Sequence, residues 1–361
     1  MSAVAEIPRF PSDVTSAWLA GVLSRAGEPV DVLGVDVVPV GTGQTGATYR
    51  ISVTYAHNPA NLPDRFVIKL PSGDDTVRDR VAIGYRSECA FYASVADRVA
   101  VPAPECFHCE ISDDAFNYAL LLADQSPAVQ GDQIAGCGIA ESVLAVRALA
   151  GLHGPTWCDE SWLGFDGLAF ALTDEAAKRG LGEVAKMSAD LTLDRLGDKL
   201  DAADRETLLA GLGSVGDWLM GEPDRFALLH GDYRLDNLLF APDRSAVSVV
   251  DWQTLGVGLP TRDLAYFVGT GLDPELRANV EGQLVDEYHA ALAAHGVSGY
   301  DRETCWQDYR YGMIQALLIP AIGCAFAVNT ERGDDMFVAM LRRACRAMRE
   351  LGTLDLIPRT N

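Results

Sequence analysis

Positive charge is scarce in this chain: 29 lysines and arginines stand against 51 aspartates and glutamates in 361 residues, a formal net charge of −22. That balance argues against a non-specific nucleic-acid or anionic-membrane surface, since both partners are polyanions. Acidity of this kind would suit a cationic substrate, although it also serves solubility. A cysteine framework is missing too. Eight cysteines are scattered without regular spacing, as expected of reduced thiols in a cytosolic compartment. Cys106 and Cys109 form one CxxC, but no second pair at ligand spacing completes a zinc site, so they read as strand thiols. The start, MSAVAEIPRFPSD, lacks a basic segment followed by an apolar core, so no secretory leader is expected and a cytoplasmic location is. The most apolar stretch, Tyr311 to Val328, carries Gln315 and Pro320. It reads as a buried helix rather than a membrane span.

What the chain does have is 48% hydrophobic and 22% charged residues at a length above the usual single-domain size. Two units with substantial cores follow from that. The division is expected at 123/124, with an N-terminal β-rich unit over 1–123 and a mostly helical one over 124–361.

Val32 to Val40 and Ala47 to Tyr55 have strand composition and flank a glycine turn, Gly41-Thr-Gly-Gln-Thr-Gly46. A dinucleotide fold would need a helix straight after those glycines. A strand follows instead, so Gly41, Gly43 and Gly46 fit a phosphate-covering flap whose backbone N–H groups can approach phosphates. A glycine-rich hairpin with no ligand has the same pattern. Arg65 to Leu70 is a further apolar strand with Lys69 as the basic residue in its core, costly to bury unpaired. Val77 to Val99 has helical periodicity and carries Glu88, a candidate partner for Lys69. Strands are expected at Glu105 to Ile111 and Asn117 to Leu122. The second gives way to a polar turn with Pro127, where the backbone around Leu122 and Asp124 is the candidate partner for an adenine edge. Helices are expected at Ile139 to Leu152, Thr173 to Leu191, Arg205 to Met220, Pro274 to Ala294, Cys305 to Val328 and Arg332 to Leu351.

The most informative stretch is 230–251, HGDYRLDNLLFAPDRSAVSVVD. Asp232 and Asn237 lie five apart, and Asp251 closes an apolar, β-branched run. Leu238 to Phe240 and Val247 to Val250 read as a hairpin around the turn at Pro242 and Asp243. A carboxylate to orient a hydroxyl, with an Asn and a second Asp as hard oxygen ligands for Mg²⁺, is the set that phosphoryl transfer needs. Any one of these residues alone would be at home in an ordinary turn.

HGDYRLDN, followed by VVDWQ and by RDLAY at Arg262 to Tyr266, resembles the aminoglycoside phosphotransferase superfamily, which shares the protein-kinase-like fold with choline kinases. The likeness is to its ecdysteroid kinase-like and related bacterial branches. The resemblance implies an α+β, bilobal fold and an ATP- and Mg²⁺-dependent kinase for a hydroxylated small molecule, the alternative being a nucleotide-binding regulatory protein with little or no transfer activity. It implies Asp232 as catalytic residue, Asn237 and Asp251 as metal ligands, Lys69 and Glu88 as phosphate-anchoring pair, and Gly41, Gly43 and Gly46 as flap. Gly231 stands where protein kinases usually have Arg, Trp252 and Gln253 replace the Phe and Gly of DFG, and no APE motif follows. Control by activation-loop phosphorylation is therefore not expected. Asp263 reads as a structural hydrogen-bond acceptor and His230 as a packed, backbone-bonded imidazole. His153 is either a family element or a helix-terminal histidine. For the acceptor, Asp273, Glu275, Asp286 and Glu287 could serve a polycation, and Trp306, Tyr309, Tyr311, Met313 and Phe326 a lipid, sterol or acyl compound; core packing is the default for the latter set.

Overall fold

The computed structural model describes residues 6–24, 29–40, 46–170 and 174–358. The chain divides into two compact units, one formed by 1–97, 103–126 and 251–253, the other by 98–102, 127–250 and 254–361. Relative to a single cut at 123/124, three departures stand out: 124–126 stays with the first unit, 98–102 joins the second, and 251–253, which holds Asp251, joins the first.

In the first unit, β1 (Asp31–Pro39), β2 (Gly46–His57), β3 (Arg65–Pro71), β4 (Cys106–Ile111) and β5 (Tyr118–Ala123) form an antiparallel sheet in the order β1-β2-β3-β5-β4. β3 thus sits between β2 and β5, and its alternating apolar residues Phe66, Ile68 and Leu70 are fully buried. With period-2 geometry, Lys69 must point to the opposite face. On the Phe66 side the sheet is closed by α1 (Ser16–Ser24), which contributes Trp18, Leu19, Val22 and Leu23 to a core with Ile51, Val53, Ala119 and Leu121. That helix is too short and too uniformly apolar for periodicity to announce it. α2 (Asp75–Ala90) begins where the Asp74 side chain accepts from the Thr76 and Val77 amides, a cap that satisfies two otherwise orphaned donors. It runs into a π-helical turn over Phe91–Val95.

The second unit is helical around a small β element. Its helices are α3 (Ile139–His153), α4 (Glu175–Leu196), α5 (Ala202–Gly213), α6 (Val215–Met220), α7 (Thr261–Gly271), α8 (Pro274–Ala294), α9 (Arg302–Gly312), α10 (Ile314–Phe326) and α11 (Glu331–Leu351). Asp174, Asp201, Asp273, Asp301 and Thr330 cap five of them through side-chain oxygens. α11 stops at Gly352, whose left-handed backbone (φ 60°) suits glycine. β6 (Val129–Gln130) pairs with β8 (Leu238–Phe240), which pairs with β9 (Val247–Val249), while β7 (Ala227–Leu229) pairs with β10 (Gly256–Gly258).

Two expected helices are each divided. Arg205 to Met220 breaks at Ser214 between α5 and α6, where the Ser214 hydroxyl bonds the Gly211 carbonyl. Cys305 to Val328 breaks between α9 and α10 at Gly312 and Met313, and at Gly312 an added Cβ would lie 2.8 Å from the Thr261 carbonyl. The first turn of α7 packs against backbone there. Every residue of α7 is buried, so it is the central helix of the unit. Among the described residues no helix is long and apolar enough to cross a membrane.

Candidate active site

In the first unit, β3 and α2 bring Lys69 to Glu88, with Nζ 2.6 Å from Oε1, and Lys69 also lies 3.1 Å from Oδ1 of Asp251. Burial alone would lower the Lys69 ammonium, but Asp251 and Glu88 outweigh it and hold the group above the usual lysine value. Burial pushes the Glu88 carboxyl up, and the adjacent ammonium pulls against it. With a cation at 2.6 Å and the Gln253 amide donating to its other oxygen at 3.3 Å, the ionised pair prevails. Breaking such a buried pair by removing one partner costs about 3–5 kcal/mol. Asp251 has a left-handed backbone, φ 70°, which Asp tolerates better than most residues.

Gly46 begins β2 opposite Pro71; Gly41 and Gly43 lie outside the described residues. At the end of the sheet, Leu122 pairs with both Val67 and Cys106, and the Ala123 amide donates to the Glu105 carbonyl. Asp124 is the first residue beyond. Its carboxylate takes the Arg50 guanidinium at 2.9 Å and the Ser126 amide at 3.0 Å. Burial works against ionisation of Asp124, yet the Ser126 and Arg50 donors together hold the carboxyl below its usual range. Cys109 Sγ donates to the Cys89 carbonyl, and among the described residues no three His, Cys, Asp or Glu side chains group as a metal site.

In the second unit, Asp232 lies between β7 and β8. Both its carboxylate oxygens are engaged: Oδ1 accepts the Tyr266 hydroxyl at 2.9 Å, and Oδ2 accepts Arg234 Nε and Asn237 Nδ2, each at 3.1 Å. Asn237 Nδ2 also donates to the Asp232 carbonyl at 2.9 Å. That orientation spends the amide nitrogen and leaves Oδ1 as the Asn237 atom suited to a cation. Burial, with Asp232 alongside, raises the Tyr266 hydroxyl well above its usual value, so it is a fixed donor. Burial opposes the Arg234 charge, but Asp232 and Asp236 more than restore it. Asp236 in turn accepts from Arg234 Nη1 at 2.8 Å and from the Gln133 amide at 3.1 Å.

The loop carrying Asp232 is pinned from below by α7. The Asp263 carboxylate accepts the His230 and Gly231 amides at 2.6 and 3.1 Å, which is the acceptor role read from RDLAY. His230 is backbone-bonded, its Nε2 3.1 Å from the Val250 carbonyl. His153 is fully buried, with Nδ1 2.7 Å from the Tyr288 hydroxyl and Nε2 3.5 Å from Asp263. It therefore holds the support of the loop. Gly231 has φ 81°, and a Cβ there would lie 2.2 Å from the Thr254 carbonyl, so no larger residue fits. Arg262 is buried against Gln315 and Glu222, over the Trp218 ring.

Most residues of the two candidate acceptor-binding sets already have structural roles. Asp273 caps α8, Glu275 pairs with Arg346, Asp286 with Arg302 and Glu287 with Arg147. Tyr309, Tyr311 and Met313 are core residues, whereas Phe326 is exposed. Tyr266, Arg234 and Gln253 were not legible as site residues. Their only sequence signal is that each lies within a motif, HGDYRLDN, VVDWQ or RDLAY.

An antiparallel sheet with a strand lysine paired to a helix glutamate, followed by a helical unit carrying HGDYRLDN, defines the protein-kinase-like class of α+β fold. The chain belongs to the phosphotransferase enzyme family, whose family model matches residues 36–303. Among solved structures, a Ralstonia eutropha protein described as an aminoglycoside phosphotransferase superposes with TM-score 0.53 at 18% identity, over 95% of this chain and 98% of that one. A Plasmodium vivax ethanolamine kinase gives TM-score 0.51 at 11% identity, over 86% and 82%. These likenesses are of fold. Curated relatives share a shorter segment. Acyl-CoA dehydrogenase family member 11 of Gallus gallus is 38% identical over 71 residues, 18% of this chain and 9% of the relative. Acyl-CoA dehydrogenase family member 10 of Mus musculus is 49% identical over 43 residues, 12% and 4%. The matched segments thus span less than a tenth of those relatives.

Proposed function

We propose that the protein is an ATP-dependent phosphotransferase that moves the γ-phosphoryl group to a hydroxyl of a small molecule. The observation that carries this reading is the Asp232 carboxylate, fixed by Tyr266, Arg234 and Asn237 within the family's matched span. A carboxylate held this way orients an acceptor hydroxyl and takes its proton as the new O–P bond forms and the bond from the γ-phosphorus to the ADP oxygen breaks. ADP leaves with the electron pair. Lys69, held charged by Glu88, anchors the α- and β-phosphates, and Gly41, Gly43 and Gly46 cover them with backbone N–H groups. The hinge backbone about Leu122 and Asp124 meets the adenine edge.

The donor chemistry fits Mg²⁺. Asn237 presents a carboxamide oxygen and Asp251 a partly exposed carboxylate, both hard oxygen ligands. Asn237 and Asp251 would hold the ion, which when bound offsets phosphate charge.

The acceptor class to test first is a hydroxylated acyl compound. The names of the curated relatives support it, and the ion pairs of Glu275, Asp286 and Glu287, with the helix-capping role of Asp273, weigh against a polycation. The test is ATP consumption with a hydroxylated-compound library, for wild type and Asp232→Ala. Turnover by wild type, falling about 10²–10⁴-fold in Asp232→Ala with nucleotide binding retained, is expected. Equal rates in the two proteins would remove Asp232 from the chemistry.

A further inference from the structure

Asp251 is followed by Trp252 and Gln253, and all three belong to the first unit, where Asp251 pairs with Lys69 and the other two pack on α2 and its extension. The residues of α2 and its π-helical extension that meet them are Gly84, Ser87, Glu88 and Phe91, spaced as one helical face. Ser87 Oγ donates to the Trp252 carbonyl at 3.1 Å, and Gln253 Nε2 donates to Glu88 Oε2 at 3.3 Å. The Phe91 and Trp252 rings stack with centroids 3.6 Å apart and planes within 4°. Phe91 opens the π-helical turn, a local irregularity that often re-aims side chains at functional sites. A Cβ on Gly84 would lie 3.2 Å from the Gln253 Cβ and 3.4 Å from its Oε1, so glycine gives Gln253 its seat one turn before Glu88. Glu88 therefore has Lys69 on one oxygen and Gln253 on the other.

We propose that Gln253 is a positioning residue: with Gly84, Ser87 and the Phe91–Trp252 stack, it latches α2 to the Asp251 segment and so sets Glu88, and through it Lys69, without any phosphorylated activation segment. This rests on the reading of Lys69 as the phosphate anchor. A neutral amide is required at this position, because only a donor can serve the second Glu88 oxygen. A carboxylate of the same shape would set two anions against each other, and a thioether of similar length would leave that oxygen unserved.

The experiment compares wild type, Gln253→Glu and Gln253→Met by calorimetric titration with MgATP and by hydrogen exchange of the α2 amides without ligand. Gln253→Met keeps volume and apolar burial, so its thermal midpoint separates positioning from unfolding. Expected are a dissociation constant for MgATP raised roughly tenfold or more in Gln253→Glu, a smaller rise in Gln253→Met, and faster exchange over 84–91 in both. Affinities within twofold of wild type, with unchanged exchange, would overturn the latch. Absence of ATP binding by wild type would sink the kinase reading instead, and the ligand-free exchange would still decide whether Gln253 holds α2.

Discussion

Asp232 receives a phenolic hydroxyl, a guanidinium and a carboxamide, so its direction is fixed before any substrate arrives. Tyr266→Phe removes one of these bonds without changing ring packing. It should cost about 1 kcal/mol of stability or less and lower kcat by roughly tenfold. A kcat equal to wild type in steady-state assays would show that Tyr266 does not orient the base. Asp124 gives a pH-dependent case. Its folded value is depressed below the ordinary 3.8, so its contribution is present above that value and is lost as pH falls through the folded value. Asp124→Asn should be less stable than wild type at pH 7, and the gap should close below about pH 4 in urea titrations. The pairing of Lys69 with Glu88 and the meeting of Asp232 with Asn237 were expected from residue type and spacing. Tyr266, 34 residues from Asp232, was not, because only the fold brings them together.

The loop between β7 and β8 depends on Gly231, whose positive φ and 2.2 Å approach to the Thr254 carbonyl admit no Cβ. Gly231→Ala should destabilise the protein by more than about 2 kcal/mol. A thermal midpoint unchanged in calorimetry would contradict that. β3 was legible as a short apolar strand, and α8 and α11 as long helical stretches close to their observed bounds. α7 was readable only as the RDLAY motif, although it is buried along its whole length. The breaks at Ser214 and Gly312 were illegible. Nothing in the local sequence shows where neighbouring helices press close.

Across the whole chain, Lys69, Glu88 and Asp251 belong to the first unit, Asp232 and Asn237 to the second. The interrupted division was beyond sequence reading, since the assignment of 251–253 to the first unit arises from its packing on α2. The acceptor is the least legible part, because most of its candidate residues prove to be caps, ion pairs and core. The decisive measurement is thermal stabilisation by ATP with and without Mg²⁺, for wild type and Asp251→Asn. Metal-dependent stabilisation of wild type at millimolar ATP, lost in Asp251→Asn, is the result expected of a nucleotide phosphotransferase. No stabilisation of wild type, or an equal shift in both proteins, would contradict it.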